Sequence, residues 1–176
     1  MTPVRIGTAS ALLAAAVVAC DTPSEPAAST DRADSIEANA AVDDVVDGDT
    51  VDVIIDGREE RVRLIGIDTP ETKKPNSPIE CFGPEASSFT EQLLPVGTEL
   101  YIERDIVGRD DYGRLLGYLY RADDGLFVND EIVRKGFAQP LSIAPNTAYA
   151  DVFVEAARMA EQDDIGLWAE CADRPR

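Results

Sequence analysis

The chain of 176 residues contains no histidine. That absence excludes Ser-His-Asp and Cys-His nucleophile systems and any imidazole metal site, so chemistry here must run on carboxylates, arginine, hydroxyls or a bound ion. Lysine is scarce as well, occurring only at positions 73, 74 and 135, which leaves 13 of the 16 basic residues as arginine. Long apolar runs are missing: the longest, Ala11 to Ala19, falls far short of the ~20 residues that cross a bilayer. Aromatics make up only 6% of the chain, yet 44% of it is apolar, which suffices for one ordinary globular domain and excludes collagen-like, coiled-coil and wholly disordered chains.

What is abundant is acid. The 34 Asp and Glu residues give a formal charge of −18, which suggests a soluble protein repelled by nucleic acid. Such acidity also adapts proteins to strong salt, where the Debye length shrinks to ~3 Å at 1 M, so net charge alone does not reject a polyanionic substrate. A halophilic source is one hypothesis for the excess of Asp over Lys.

The first 20 residues carry a lone Arg5, then the apolar run, then Cys20, and read as an export signal. The end of this stretch, Val17-Val18-Ala19-Cys20, resembles a bacterial lipobox, which would make Cys20 the lipidated mature N-terminus. An ordinary cleaved signal with an incidental cysteine is the alternative. Either way the mature protein is expected outside the cytoplasm, anchored to the outer face of a membrane if Cys20 is acylated. Residues 21–40, rich in Pro, Ser, Ala and acid, read as a tether. The folded domain is then expected over 41–171, with 172–176 as a tail. Export leaves Cys81 and Cys171 as a pair in an oxidising compartment, where a disulfide is the structural expectation. The alternative, a thiol nucleophile, lacks a histidine partner.

Within the domain, strands come first and helices follow. Val45-Val46 leads as a first strand into the turn Asp47-Gly48-Asp49, Thr50 to Ile55 and Glu60 to Ile67 read as a hairpin about Asp56-Gly57, and Leu100 to Glu103 and Leu115 to Tyr120 as further strands. Helices are expected from Gly83-Pro84-Glu85 to about Leu94, from Val128 to Lys135, and from Tyr149 to Gln162. Five strands with helices on one side suggest an α+β domain built on a closed barrel.

Three polar clusters stand on this frame. Asp47-Gly48-Asp49-Thr50 puts two carboxylates two residues apart at a strand entrance, so both can face one side. Asp68-Thr69-Pro70-Glu71 follows an apolar strand, and Pro70 holds Thr69 extended with its carbonyl presented. Asp110-Asp111-Tyr112-Gly113-Arg114 sets an arginine just after a glycine turn. Each motif alone is commonly just a turn or a loop.

Together with Arg63, and in one order from Val42 to Trp168, these motifs closely resemble the staphylococcal nuclease (thermonuclease) family. The shared pattern includes Arg-Leu-x-x-x-Asp-Thr-Pro-Glu-Thr, Gly-Pro-Glu-Ala-Ser, the Val128-Asn129 helix ending at Arg134-Lys135-Gly136, and Trp168. The resemblance implies a five-stranded OB-fold barrel with three helices and a calcium-dependent, monomeric endonuclease. Its substrates would be DNA and RNA, preferably single-stranded, cut to leave 3′-phosphates. It puts Ca2+ on the carboxylates of Asp49 and Asp68 and the carbonyl of Thr69, with Asp47 behind them. All-oxygen ligands suit this hard cation and need no histidine. Glu71 would be the general base, and Arg63 and Arg114 would hold the scissile phosphate through bidentate, charge-assisted bonds.

Strand geometry does not by itself deliver that site, and Glu80-Cys81-Phe82 departs from the family pattern, standing where a Lys-Tyr step often precedes Gly-Pro-Glu-Ala. On an ideal strand Arg63 and Asp68, five residues apart, face opposite sides, so their convergence needs a kink, for which Gly66 is the candidate. The segment Gln139 to Asn146 lacks the tyrosines that sit beside the nucleotide base in the type enzyme, which bears on base preference. Lys73 and Lys74, beside Glu71, are either a local positive rim or simply a solvated loop. A noncatalytic binding module on the same fold and a calcium-binding surface lipoprotein are the alternative functions.

Overall fold

A computed structural model describes Met1, residues 36–72 and residues 78–171. Cys20, Lys73, Lys74 and the tail at 172–176 lie outside the described residues. The chain divides into two units, Met1–Asp31 and Arg32–Arg176, and every element below belongs to the second.

Strands β1 (Ala40–Asp47) and β2 (Thr50–Ile55) form a hairpin, and β2 continues into β3 (Arg58–Leu64) through a second one. That second turn is Asp56-Gly57, with φ of 50° and 73°, the left-handed pair that matches the twist of a two-residue hairpin. Beside β3, β6 (Leu115–Arg121) runs parallel, and β5 (Glu99–Glu103) pairs with β6 on one side and β1 on the other. The order β1-β2-β3-β6-β5 therefore closes into a five-stranded barrel, as expected for an α+β OB-fold. Alternation fills it: Val51, Val53, Val62, Leu64, Leu100 and Leu119 are fully buried. Asn39 reinforces the seam, accepting from the Ile102 N–H at 2.9 Å and donating to its carbonyl at 3.1 Å. Among the described residues regular structure begins at Ala40, so Asn39 and Ala40 belong to the barrel and not to the tether expected over 21–40.

The strand expected to run unbroken from Glu60 to Ile67 is divided. Gly66, at φ 83°, turns the chain out of the barrel, and β4 (Gly66–Asp68) pairs instead with β7 (Gln139–Leu141) in a separate two-stranded sheet. A Cβ at Gly66 would lie 2.2 Å from the Phe153 ring, so conformation and space both demand glycine.

Three helices cover the barrel: α1 (Gly83–Leu93), α2 (Val128–Arg134) and α3 (Ala150–Gln162), with a single further turn, α4 (Leu167–Glu170). On α3 the buried residues Phe153, Ala156, Ala157 and Ala160 recur at helical spacing, and the small alanines let the helix approach closely. The Cys81–Cys171 disulfide forms, with Cα atoms 5.9 Å apart, and ties the approach to α1 to the end of α4.

A fully buried side chain connects helix, barrel and kink. Asn129 of α2 accepts from the Leu119 N–H and donates to the Ile65 carbonyl, both at 2.9 Å. Two buried backbone groups lose their partners without it. Asn129→Ala should therefore lower stability by about 2 to 4 kcal/mol in chemical denaturation, and a change within error would contradict the staple. Cys81→Ser, which releases closure between residues 90 apart in sequence, should cost about 2 to 4 kcal/mol in the same assay.

Candidate active site

Backbone packing brings the three polar clusters together. The Asp49 carbonyl accepts the Leu64 N–H at 2.9 Å, and the Gly48 carbonyl accepts the Thr90 hydroxyl of α1 at 2.8 Å. A Cβ on Gly48 would stand 2.7 Å from Thr69 Oγ1, so the Asp47-Gly48-Asp49 turn needs its glycine to admit the Thr69 segment. The Asp49 carboxylate then reaches across: Oδ2 accepts the Thr69 N–H at 3.1 Å, and Oδ1 accepts the Thr50 hydroxyl at 3.1 Å.

Because Gly66 redirects the chain, Arg63 and Asp68 converge after all. Arg63 Nη2 lies 2.9 Å from Asp49 Oδ2 and 3.1 Å from Asp68 Oδ1. Its Nη1 donates to the carbonyls of Leu64 and Ile67, the latter at 3.0 Å. Arg63 and Asp49 are largely shielded from solvent, whereas the Asp68 side chain is 58% exposed and forms the open lip of the site.

Opposite stand Glu71 and Arg114. The Glu71 N–H donates to Glu80 Oε2 at 3.1 Å, which anchors the backbone that carries the Glu71 carboxylate. Asp110 orients Arg114: Oδ2 accepts from Arg114 Nε at 2.7 Å and Oδ1 from its backbone N–H at 2.9 Å, while the Tyr112 ring lies 5.6 Å from the guanidinium carbon. Despite its desolvation, these bonds hold the Asp110 carboxyl below the usual range, so the pair stays ionised.

All seven residues picked out from sequence (Asp47, Asp49, Arg63, Asp68, Thr69, Glu71 and Arg114) line one cleft of about 290 Å³. A larger hollow of about 580 Å³ adjoins it, shares Arg63 and Arg114, and is walled by Ile67, Leu141, Ile143 and Pro145 together with Tyr112. Three residues were not assigned a role from sequence: Glu80, Asp110 and Asn129. Glu80 and Asn129 act on backbone groups, which leave no trace in side-chain motifs.

The donor set fits a hard divalent cation. Five carboxylates, of Asp47, Asp49, Asp68, Glu71 and Glu80, line the cleft against the guanidinium groups of Arg63 and Arg114, so negative charge is in excess. Desolvation, then repulsion from Asp49 and Glu71, pushes the Asp47 carboxyl up; desolvation pushes Asp68 up against the pull of Arg63. Among the described residues no three carboxylates converge into a complete metal site, so an ion here needs a backbone carbonyl and water besides Asp49 and Asp68.

Residues 61–170 match the family model described as Staphylococcal nuclease homologue. The chain is 38% identical over 124 residues to a protein named Thermonuclease from Staphylococcus intermedius, covering 70% of this chain and 72% of that one. It is 34% identical over 148 residues to the Thermonuclease of Staphylococcus hyicus, covering 84% and 86%. Endonuclease YncB of Bacillus subtilis is 39% identical over 134 residues, which span 75% of this chain but 62% of that protein.

The strain at Asp47 has a measurable sign. A carboxyl whose folded pKa is raised costs stability once pH exceeds its unfolded value, and costs nothing below it. Asp47→Asn should therefore raise the melting temperature of the chelator-treated protein at pH 7, with the gain vanishing near about pH 3. No gain at pH 7 would contradict the repulsion.

Proposed function

The chain belongs to the staphylococcal nuclease family, and from that premise we propose that it is a calcium-dependent endonuclease. In this reading it hydrolyses the phosphodiester bonds of DNA and RNA, prefers single strands and leaves 3′-phosphate ends. The observation that carries the reading is the convergence of Arg63, Arg114 and Glu71 with Asp49 and Asp68 on one cleft.

Asp49, Asp68 and the Thr69 carbonyl would hold the ion, which when bound supplies positive charge to the phosphate. Arg63 is fixed through Nη1 by two backbone carbonyls, and Nη2, which here reaches Asp49 and Asp68, is the donor assigned to the scissile phosphate. Asp110 engages the Nε edge of Arg114, and the terminal nitrogens are the donors assigned to the phosphate. Glu71 takes a proton from water as the water oxygen bonds to phosphorus. The P–O5′ bond breaks, the 5′-oxygen leaves and takes a proton from solvent water, the proton on Glu71 returns to solvent, and the phosphate stays on the 3′-oxygen. Charge accumulates on the phosphoryl oxygens as this happens, and both arginines oppose it.

Export belongs to the same proposal. The apolar run before Cys20 and the Cys81–Cys171 disulfide both suit an oxidising, extracytoplasmic location, with Cys20 as a lipid anchor and the segment between Cys20 and Asn39 as the tether to the nuclease domain.

The test is release of acid-soluble nucleotides from denatured DNA, duplex DNA and RNA, with calcium or chelator, from low to multimolar salt. Calcium-dependent release, fastest on denatured DNA and lost by about a thousandfold or more in Glu71→Gln, is the expected result. Folded protein that binds calcium without releasing nucleotides would overturn the nuclease. An unchanged rate in Glu71→Gln would remove the base.

A further inference from the structure

Glu80 lies in the same cleft but has no part in the mechanism above. Its contacts are with the backbone of Glu71. The Glu80 N–H donates to the Glu71 carbonyl at 3.0 Å, and the Glu80 carboxylate accepts the Glu71 N–H at 3.1 Å, so one residue holds the two peptide groups on either side of the α-carbon that carries the base. Glu80 is itself held, because its carbonyl accepts the Gly83 N–H at 3.1 Å at the start of α1. The next residue, Cys81, is covalently tied to Cys171. Gly83 packs so closely that a Cβ there would lie 2.7 Å from Thr72 Cγ2 and 3.2 Å from the Glu71 carbonyl oxygen. Helix, disulfide and Glu80 are thus joined in one mount beneath Glu71 and Thr72, which lie in neither strand nor helix.

Charge does not explain the residue. Glu80 adds to the repulsion on Asp68, and it stands in a cleft already rich in carboxylates. What it supplies is an acceptor at a fixed place. We propose that Glu80 is a positioning residue for Glu71, clamping its backbone so that the base is presented to the attacking water. The inference rests on the reading of Glu71 as the base. A displacement of about 1 Å at such a group can cost on the order of a hundredfold in rate, so even an exposed clamp is kinetically visible.

Steady-state kinetics on single-stranded DNA at saturating calcium, using the full chain with its disulfide intact, tests the role. Glu80→Ala should lower kcat about tenfold while KM and the calcium Kd stay within about twofold, because only the base is displaced. Glu80→Gln, which keeps a neutral acceptor for the Glu71 N–H, should restore most of kcat. In a Glu71→Gln background, Glu80→Ala should cost nothing further, since residues acting as one unit are non-additive. If Gln and Ala are equally impaired, or the calcium Kd moves with kcat, Glu80 acts through its charge or on the ion and the positioning role is overturned. Full activity of Glu80→Ala beside a dead Glu71→Gln overturns the clamp alone, whereas full activity of Glu71→Gln overturns the base and with it the clamp.

Discussion

Arg63 reaches Asp49 at 2.9 Å and Asp68 at 3.1 Å, and almost every special residue of this fold serves to make those two distances coexist. The two carboxylates come from different strands, β2's entrance and β4, which belong to different sheets. Gly66 redirects the chain between Arg63 and Asp68, Phe153 fills the space opposite that kink, and Asn129 pins the kink at the Ile65 carbonyl. A shielded ion pair of this kind is weak evidence of stability, because desolvation offsets much of its Coulombic gain. Removing one partner is another matter, since it strands a charge in a largely dry place. The arrangement is therefore better understood as a preorganised charge site than as a fastening of the fold.

Local and global electrostatics share a sign, since carboxylates outnumber guanidinium groups in the cleft as they do over the chain. The body carries −18, yet the cleft also presents two guanidinium groups held in orientation by their carboxylate partners. In the proposed reading a divalent ion would offset most of the cleft's excess negative charge and so ease the approach of phosphate. Strong salt would screen the rest of the body without reaching the shielded Arg63–Asp49 contact to the same degree.

How much was legible in the sequence follows the nature of each interaction. The Asp56-Gly57 hairpin and the five-strand barrel were readable because turn chemistry and alternation are local signals. Gly66 was readable as a necessary kink, but its destination was not: β7 is three residues with a proline at its centre, too short to show any period. The carboxylates and arginines were readable through motif order, and they do share one cleft. Glu80 escaped because it grips a backbone N–H and carbonyl. Asn129 stood in a recognised helix, but nothing in its neighbours announced that it would bridge Leu119 and Ile65.

The central claim is that Asp49 and Asp68 form a cation site beside a phosphate clamp. Titration calorimetry of calcium into the chelator-treated chain at neutral pH tests it most directly. The account predicts saturable binding of a single ion, abolished in Asp49→Asn while the circular dichroism spectrum is unchanged. Binding that survives Asp49→Asn at wild-type affinity, or no binding by the folded wild-type chain, would contradict it.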